Sequence, residues 1–426
     1  MIVISSDIVE SARGCEASRD LFLGARDNDE VFNALMNEDG PGVVPGTLHL
    51  SERDATVPVH TIGKPADRVR VIAIRSSAID DASSAGSVGV AGVRLQGFVL
   101  RDGGWQESPV LCVPVKQELH SRIGGLLETD VLKDKCVFEG GLGSGGAPAI
   151  MELAKAGVGR FLLMDHDRLE VANITRHIAG LADVGRYKTK VMADLIRGKN
   201  PDADVHTWET KICWDTIEHV RQCVRAADLV LCGTDEPVSR NILNSVCVEE
   251  DTPMIMAGAF RRAYGGQVLR VRPHQSPCYQ CFVMSLPDQA RDHEIATADQ
   301  AQRIAYSYRD VPIEPGLSTD IAPISQMVAK LGVQELLQET PTTMRSLDED
   351  LVAPWYIWIN RREQGTEYEK LPPLGFSLDG FRILRWYGIE LERRPDCPCC
   401  GDFIGHVAHE EGIEVAAEDL ATFEAR

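Results

Sequence analysis

Residues 136–165 read CVFEGGLGSGGAPAIMELAKAGVGRFLLMD, and this stretch determines the fold class. The apolar run at 136–140 predicts a β-strand that leads into a glycine-rich turn. A helix is predicted through 151–156, followed by a second strand at 160–165. A strand, a helix and a second strand within about 30 residues are typical of a βαβ unit, in which the two strands are parallel.

The same alternation continues along the chain. Helices are predicted at 188–201 and 237–250, with buried strands at 226–235 and 252–260, and a further helix at 321–338. We therefore expect an α/β fold, with a Rossmann-like and mostly parallel sheet that carries helices on both faces.

The remaining segments set the expected domain organisation. Residues 1–118 contain short apolar runs between Gly, Ser and Asp, which predicts a smaller, strand-rich N-terminal domain whose role the sequence leaves open. Residues 119–426 form the second predicted domain. In it, the weakly periodic stretch 283–320 is interpreted as a crossover loop, and the acidic end of the chain as a solvated tail.

Charge and composition exclude several classes of partner. The 426 residues include 44 Lys and Arg against 64 Asp and Glu, a net charge of −20. This balance argues against nucleic acid and against an anionic membrane surface as ligands. No apolar run approaches the roughly 18 residues of a membrane span, and no secretory signal is visible at the N-terminus. We expect a cytoplasmic protein.

The glycine loop predicts a nucleotide site. Gly141, Gly143 and Gly146, with Ser144 between them, fit the G-x-G-x-x-G pattern after a strand and before a helix. Glycines allow the backbone to approach phosphates, and the helix N-terminus favours an anion. Asp165 ends the next strand, where a carboxylate accepts hydrogen bonds from ribose hydroxyls. These features alone point to NAD.

The segment after Asp165 favours a triphosphate over NAD. It carries Asp167, Asn173, Arg176 and Lys188 within one short region. Arg and Lys can contact phosphate oxygens and offset the charge that develops on a leaving pyrophosphate. Asp235 ends another predicted strand at the same edge of the sheet, and a carboxylate beside phosphates is best explained by Mg²⁺. The predicted cofactors of this site are therefore ATP and Mg²⁺.

These motifs together resemble the ubiquitin-activating-enzyme superfamily, the ThiF-like adenylyltransferases. The resemblance covers about 120–340 and the CPCC region, and rests on GLGSGG, AGVGRFLLMDHDRLEVANITRH, VGRYKTKVMADLIRGKNP, LCGTDEPVSRNILN and GGQV with PCYQC. It implies ATP-dependent adenylation of the C-terminal glycine carboxylate of a ubiquitin-like or sulfur-carrier protein. It also assigns roles: Asp165 holds ribose, Asn173, Arg176 and Lys188 hold the phosphates, and Asp235 holds Mg²⁺ at the reacting centre.

The resemblance implies partners as well. Arg122 matches a family arginine that reaches the γ-phosphate of a neighbouring protomer, although its spacing to the glycine loop is shorter than usual and a plain surface arginine is the alternative. That match implies a homodimer. The arrangement is also similar to activating proteins of bacterial ubiquitin-like conjugation systems, for which a ubiquitin-conjugating-type enzyme would be a further partner.

Two pairs of cysteines predict a zinc site. Cys278 with Cys281, and Cys397 with Cys400, each have the C-x-x-C spacing that places two thiolates on one metal ion. Four such ligands would form a closed, structural Zn²⁺ site, which is what the resemblance implies at these motifs. Replacement of one ligand by Cys399, a disulfide and unbound thiols are the alternatives.

The expected transfer cysteine is missing. Many relatives pass the activated carboxylate to a cysteine in the crossover loop, yet residues 282–396 contain no Cys. Adenylation is then the whole reaction, or the thiol comes from elsewhere, or a thiol has been replaced in this chain. Cys213 and Cys223 are candidates outside the loop, but each is more simply explained as a buried residue.

Two other functions remain as alternatives. An NAD-dependent oxidoreductase would bind nicotinamide and would leave Arg176, Lys188 and Asp235 without a role. A non-catalytic scaffold half of an activating heterodimer would be expected to have lost phosphate ligands, whereas this chain retains Asn173 and those three residues. The sequence therefore favours an adenylating enzyme.

Overall fold

A computed structural model describes most of the chain. The described residues are 1–12, 18–26, 30–36, 43–51, 58–75, 93–286, 316–338, 340, 349–366, 368–372, 374 and 380–402. The chain divides into two compact units, Met1–Gly124 and Gly125–Arg426.

The first unit is built on one mixed sheet. Its strands are β1 (Ile2–Ser5), β2 (Ser18–Arg26), β3 (Val31–Ala34), β4 (Val43–Ser51), β5 (Val69–Arg75), β6 (Val93–Arg101), β7 (Gly104–Ser108) and β8 (Val110–Val113), and its helices are α1 (Ser6–Ala12) and α2 (Val115–Glu118). The strand order is β7-β6-β5-β4-β2-β3-β1-β8. Side chains such as Ile4, Leu23 and Phe32 form its core, so the prediction of a strand-rich N-terminal region is confirmed.

The second unit contains the predicted α/β sheet. Its strands are β9 (Cys136–Gly140), β10 (Arg160–Met164), β11 (Asp204–Trp208), β12 (Leu229–Cys232), β13 (Met254–Ala259), β14 (Gly265–Val271), β15 (Trp355–Ile359) and β16 (Trp386–Ile389). They are arranged in the order β11-β10-β9-β12-β13-β14-β15-β16. The pairs from β11 to β13 are parallel, whereas β14, β15 and β16 continue the sheet in antiparallel pairs.

Helices cover both faces of this sheet. They are α3 (Thr129–Leu132), α4 (Gly146–Ala156), α5 (Lys188–Arg197), α6 (Ile217–Arg225), α7 (Pro237–Glu249), α8 (Tyr279–Ser285) and α9 (Ser318–Leu336). Leu153 of α4 and Leu331 of α9 pack in one core cluster, and Val220 of α6 and Val246 of α7 pack in another. Because a parallel sheet is buried on both faces, its strands are apolar without alternation, as the sequence predicts.

Some element boundaries differ from the predictions. Helix α4 begins at Gly146, five residues before the predicted start at Met151, because glycines that weaken the periodic pattern still adopt helical angles in the first turn. The predicted crossover loop at 283–320 is helical at both described ends, up to Ser285 and from Ser318. Residues 287–315 of that loop, and the tail at 403–426, lie outside the described residues.

The helices of the described part of the chain are all unsuited to crossing a bilayer. None of them combines the length and the apolar character that a membrane span requires.

Candidate functional site

The glycine loop between β9 and α4 is shaped by two kinds of glycine. Gly141 has φ +97°, and its N–H donates to the Met164 carbonyl at 2.9 Å. A Cβ at Gly146 would lie 2.1 Å from the Gly141 carbonyl oxygen, so this position is closed to any side chain. In contrast, a Cβ at Gly143 or Gly145 would have no atom within 4 Å. The loop is therefore tightly packed beneath and open above, and its upper backbone is accessible to a ligand.

A cavity of about 440 Å³ lies in front of this loop. It occupies the carboxyl edge of the parallel strands, which is where ligands bind in open α/β sheets. Eight of the residues predicted for the nucleotide site line it: Gly141, Gly143, Ser144, Gly146, Asp165, Asp167, Lys188 and Asp235. The fold thus brings together residues that are up to 94 positions apart in the sequence.

Three other predicted residues do not line this cavity. Asn173 ends a short 3-10 helix, Val171–Asn173, and its side-chain oxygen accepts the Glu170 N–H at 2.9 Å. Arg176 follows in the same segment, and neither residue is among those that line the cavity in the described part of the chain. Arg122 is exposed at the end of the first unit, and its contact with a neighbouring protomer stays a prediction.

Asp165 is held rigidly at the end of β10. Its carboxylate accepts the Leu142 N–H at 2.7 Å and the Asp167 N–H at 2.8 Å, and the residue is only 8% exposed. Two backbone donors from the glycine loop and from the following turn therefore fix its position. Such a carboxylate can accept hydrogen bonds from ligand hydroxyl groups without reorganising.

Lys188 is a buried cation of the cavity. Its ammonium lies 2.7 Å from an Asp167 carboxylate oxygen, and its side chain is 10% exposed. Burial raises the pKa of Asp167, but the hydrogen bond and the charge of Lys188 outweigh burial and hold that pKa below its usual value. Asp167 is therefore ionised at neutral pH and keeps Lys188 directed into the cavity.

Asp235 is presented by a turn whose backbone is fixed. It follows β12 and precedes α7, and its side chain is exposed at the cavity. Behind it, Arg240 donates from Nε to the Thr234 carbonyl at 2.9 Å, and Ser239 donates to the Thr234 hydroxyl at 2.7 Å. Because a carboxylate is a preferred ligand of Mg²⁺, which usually keeps several waters, an exposed and fixed Asp235 fits that ion.

The cavity also contains residues that no motif in the sequence predicts. Lys211 follows β11, and its ammonium lies 2.7 Å from the carboxylate of Glu236 at the start of α7. The two strands that precede them are not adjacent in the sheet, so no local pattern could have identified the pair. Glu139, within β9, is fully buried, and burial together with the nearby Asp165 raises its pKa well above the usual value.

His177 supports the glycine loop from below. Its Nδ1 accepts the Ala179 N–H at 3.1 Å, so Nε2 carries the proton and donates to the Leu142 carbonyl at 3.0 Å. Burial lowers the pKa of His177, so the ring is neutral at physiological pH. The sequence shows this histidine only as part of NITRH, with no signal for a structural role.

The four predicted metal ligands form one buried cluster. Sγ atoms of Cys278 and Cys397 lie 3.6 Å apart, those of Cys281 and Cys400 lie 3.4 Å apart, and Cys278 and Cys281 are 3.9 Å apart. A tetrahedral Zn²⁺ with bonds of about 2.3 Å requires sulfur separations of about 3.8 Å. The cluster fits a closed zinc site, and these cysteines are free rather than disulfide-bonded.

Neighbouring thiols have other roles. Cys399 is not one of the four grouped sulfur atoms, and its sulfur accepts the Asn244 side-chain amide at 3.1 Å, which favours the four predicted ligands over its replacement of a neighbour. Cys223 is buried, and desolvation raises its pKa to about 11, which makes it a poor nucleophile. Cys213 is half-buried beside Thr216 at 3.7 Å.

The second unit is an α/β fold with a glycine loop before a helix, carboxylates at the carboxyl edge of its parallel strands and four cysteines that could hold a zinc ion. The ThiF family matches residues 117–349, which is more than half of the sequence. The chain belongs to the ThiF family, and the resemblance stated from its motifs is confirmed.

The chain is similar to two named relatives and to one solved structure. A protein named SAMP-activating enzyme E1 from Haloferax volcanii is 27% identical over 270 residues, covering 62% of this chain and 78% of that protein. The sulfur carrier protein ThiS adenylyltransferase of Escherichia coli is 35% identical over 153 residues, covering 35% of this chain and 59% of that protein. The crystal structure of E. coli MccB with succinimide aligns with a TM-score of 0.46 at 19% identity, over 64% of this chain and 68% of MccB.

Proposed function

We propose that this chain uses ATP to adenylate the C-terminal glycine carboxylate of a ubiquitin-like or sulfur-carrier protein, with release of pyrophosphate. The observation that carries the proposal is the convergence of the open glycine loop, Asp165, Lys188 and Asp235 on one cavity. Family membership and the names of relatives, which include adenylyltransferases and activating enzymes, support it.

The geometry suits a reaction between two anions. The carrier carboxylate attacks the α-phosphorus of ATP, the bond to the β-phosphate oxygen breaks, and pyrophosphate leaves as an acyl-adenylate forms. Fixed donors must offset the developing negative charge. Gly143 and Gly145 leave backbone atoms open to phosphates, and Lys188 supplies a buried positive charge. Mg²⁺ bound at Asp235 would supply further charge neutralisation at the reacting phosphates.

The remaining site residues take roles consistent with their positions. Asp165, which is fixed by two backbone donors, would hold the ribose. Asn173 and Arg176 lie on the segment after Asp167 and would reach the phosphates from there. Arg122 would act on the ATP of a second copy, so that a homodimer forms the active unit. A Zn²⁺ on the four cysteines would attach the C-terminal segment to α8.

The fate of the adenylate is part of the same proposal. Burial raises the pKa of four described thiols outside the zinc cluster, Cys136, Cys223, Cys232 and Cys247, and residues 282–396 have no Cys. We infer that the adenylate is passed to a thiol or sulfur acceptor on another protein, for which a ubiquitin-conjugating-type enzyme is one candidate. The N-terminal unit, Met1–Gly124, would then be available to bind the carrier or that partner.

Pyrophosphate exchange tests the proposal directly. The full chain is incubated with Mg·ATP, labelled pyrophosphate and a candidate carrier that ends in glycine; a carrier lacking its last glycine is the control. Carrier-dependent incorporation of label into ATP is expected. Tight NAD binding without exchange would instead support an oxidoreductase, and an absence of both would support a non-catalytic scaffold.

A further inference from the structure

Glu139 carries a carboxyl group that is buried directly beneath the glycine loop. It lies in β9, paired in register with Leu163 of β10 and Leu231 of β12. Its neighbours on the same face of the sheet are apolar, and the residue itself is 0% exposed. A strand buried on both faces normally carries an apolar side chain at such a position.

Two glycines make room for this carboxyl group. A Cβ at Gly146 would lie 2.6 Å from Glu139 Oε1, and a Cβ at Gly233 would lie 2.7 Å from the same oxygen. Gly146 starts α4, whose N-terminus closes the glycine loop, and Gly233 follows β12. The carboxyl group therefore lies between the two backbone segments that border the nucleotide cavity, and Glu139 is among the residues that line it.

Both oxygens of Glu139 lack a hydrogen-bond partner in the described part of the chain. The nearest backbone donor, the Gly233 N–H, already donates to the Gly140 carbonyl at 2.9 Å, so it offsets only part of the cost of a buried charge. A buried carboxylate without a partner is expensive, and such a group takes up a proton instead.

The charged groups around Glu139 do not compensate a negative charge. The nearest acid, Asp165 at the end of β10, opposes ionisation of Glu139. The basic groups of the cavity have other partners: Lys188 of α5 contacts Asp167, and Lys211 contacts Glu236.

The charged groups on α7, β12 and α9 do not offset a negative charge on Glu139 either. Arg240 of α7 keeps its positive charge while it donates to the carbonyls of Thr234 and Ala257, and it is not among the groups that shift the pKa of Glu139. Cys232 of β12 is a buried thiol whose own pKa burial raises to about 11, and Asp320 of α9 is paired with Arg361 at 2.7 Å. Asp235, after β12, adds further negative charge to the cavity. The Glu139 carboxyl group is therefore neutral because it carries a proton.

We propose that the protonation state of Glu139 controls polyphosphate binding: the neutral acid leaves the glycine loop able to bind the anion, and ionisation places a negative charge under the loop that weakens binding. Glu139 acts through the loop and is a positioning residue, not a catalytic one. This inference rests on the proposed nucleotide-binding function of the cavity. It adds the prediction that the affinity for ATP falls at alkaline pH because one residue, Glu139, ionises.

The test compares the full-length protein with Glu139→Gln between pH 6.5 and 9.5, measuring the Kd for Mg·ATP by calorimetry. Above about pH 7.5 the phosphates of ATP no longer titrate, since their second pKa is about 6. In the wild type, Kd should rise with pH and approach a tenfold increase per pH unit, the slope of one linked proton. In Glu139→Gln, which has the same shape and cannot ionise, Kd should stay flat over the same range.

Two controls separate the possible results. Adenosine has no phosphate, so its Kd in the wild type should not show the alkaline rise. Glu139→Met, a second neutral variant, carries the comparison if the glutamine variant does not fold. The same pH dependence in wild type and neutral variant, or no rise in the wild type up to pH 9.5, overturns the inference while leaving adenylation intact. Absence of Mg·ATP binding in every variant at pH 7 refutes the proposed function itself.

Discussion

Two glycines of the same loop should differ in how a single added methyl group affects stability. At Gly146, a Cβ would lie 2.1 Å from the Gly141 carbonyl oxygen, whereas ordinary van der Waals contact begins at 3.4 Å. The backbone would have to move by more than 1 Å in a region packed on both sides. At Gly143, nothing lies within 4 Å of the added carbon, and φ is outside the left-handed region.

The expected magnitudes depend on that difference. Gly146→Ala should lower the free energy of unfolding by about 1–3 kcal/mol, which is typical of overpacking in a dense interior. Gly143→Ala should leave it unchanged or raise it by up to about 1 kcal/mol, because alanine restricts the unfolded chain. Its methyl group, however, enters the space above the loop, so the affinity for Mg·ATP should fall at least about tenfold, or 1.4 kcal/mol.

Urea unfolding and calorimetry can measure both effects. Five of the six tryptophans lie after residue 125, so tryptophan fluorescence mainly reports the second unit. We expect Gly146→Ala to lose stability and ligand binding together, whereas Gly143→Ala should lose binding alone. Wild-type stability in Gly146→Ala would show that the loop is not packed as described. Wild-type affinity in Gly143→Ala would show that phosphates do not approach this face.

Three further predictions concern the acids and the thiols. Asp235→Asn should reduce pyrophosphate exchange at least about 100-fold without a change in the free energy of unfolding, because the proposed Mg²⁺ ligand is lost. The control Asp215→Asn, at an exposed position, should have no effect. Equal activities of the two variants would remove Asp235 from the mechanism. Metal analysis should find one Zn²⁺ per chain. Chelation or Cys281→Ser should destabilise the second unit, since structural zinc contributes on the order of 10 kcal/mol, while Cys399→Ser keeps the metal; a metal-free wild type contradicts this. Finally, Glu139 in the unfolded chain loses its proton near pH 4.3, whereas the folded group keeps it. The free energy of unfolding of the wild type, relative to Glu139→Gln, should therefore fall by about 1.4 kcal/mol per pH unit above pH 4.3, until the folded pKa is reached. A constant difference between the two proteins in urea unfolding would show that the folded group is not protonated.

The parts of the site that the sequence predicts are those encoded locally. Strand β9 is predicted at its observed bounds, and the residues from Gly141 to Gly146 are predicted as the ligand loop, because glycine spacing and an apolar run are adjacent in the chain. Asp165 and Asp235 can be placed because each follows a buried strand, and carboxyl ends of parallel strands share one edge.

The missed features depend on which strands become neighbours. Lys211 follows β11 and Glu236 precedes α7 after β12, yet the sheet places β10 and β9 between those two strands. Their ion pair is therefore a product of tertiary structure. Glu139 is different, because an acid within CVFEG is visible in the sequence. Its proposed role depends on complete burial of the carboxyl group, which only the packing against α4 and the end of β12 establishes.

The ion pairs of the cavity suggest how a chain with a net charge of −20 can hold a polyphosphate. Lys188 and Lys211 are each neutralised by a carboxylate, Asp167 and Glu236, so the free cavity offers little long-range attraction to an anion. Binding then exchanges an internal ion pair for a phosphate contact, a nearly balanced step. Groups other than these two lysines must then supply the net gain, among them the open backbone around Gly143 and the dipole of α4. A negative charge on Glu139 would oppose both of these contributions to anion binding, which is why the loss of its proton is expected to weaken binding although the group is buried.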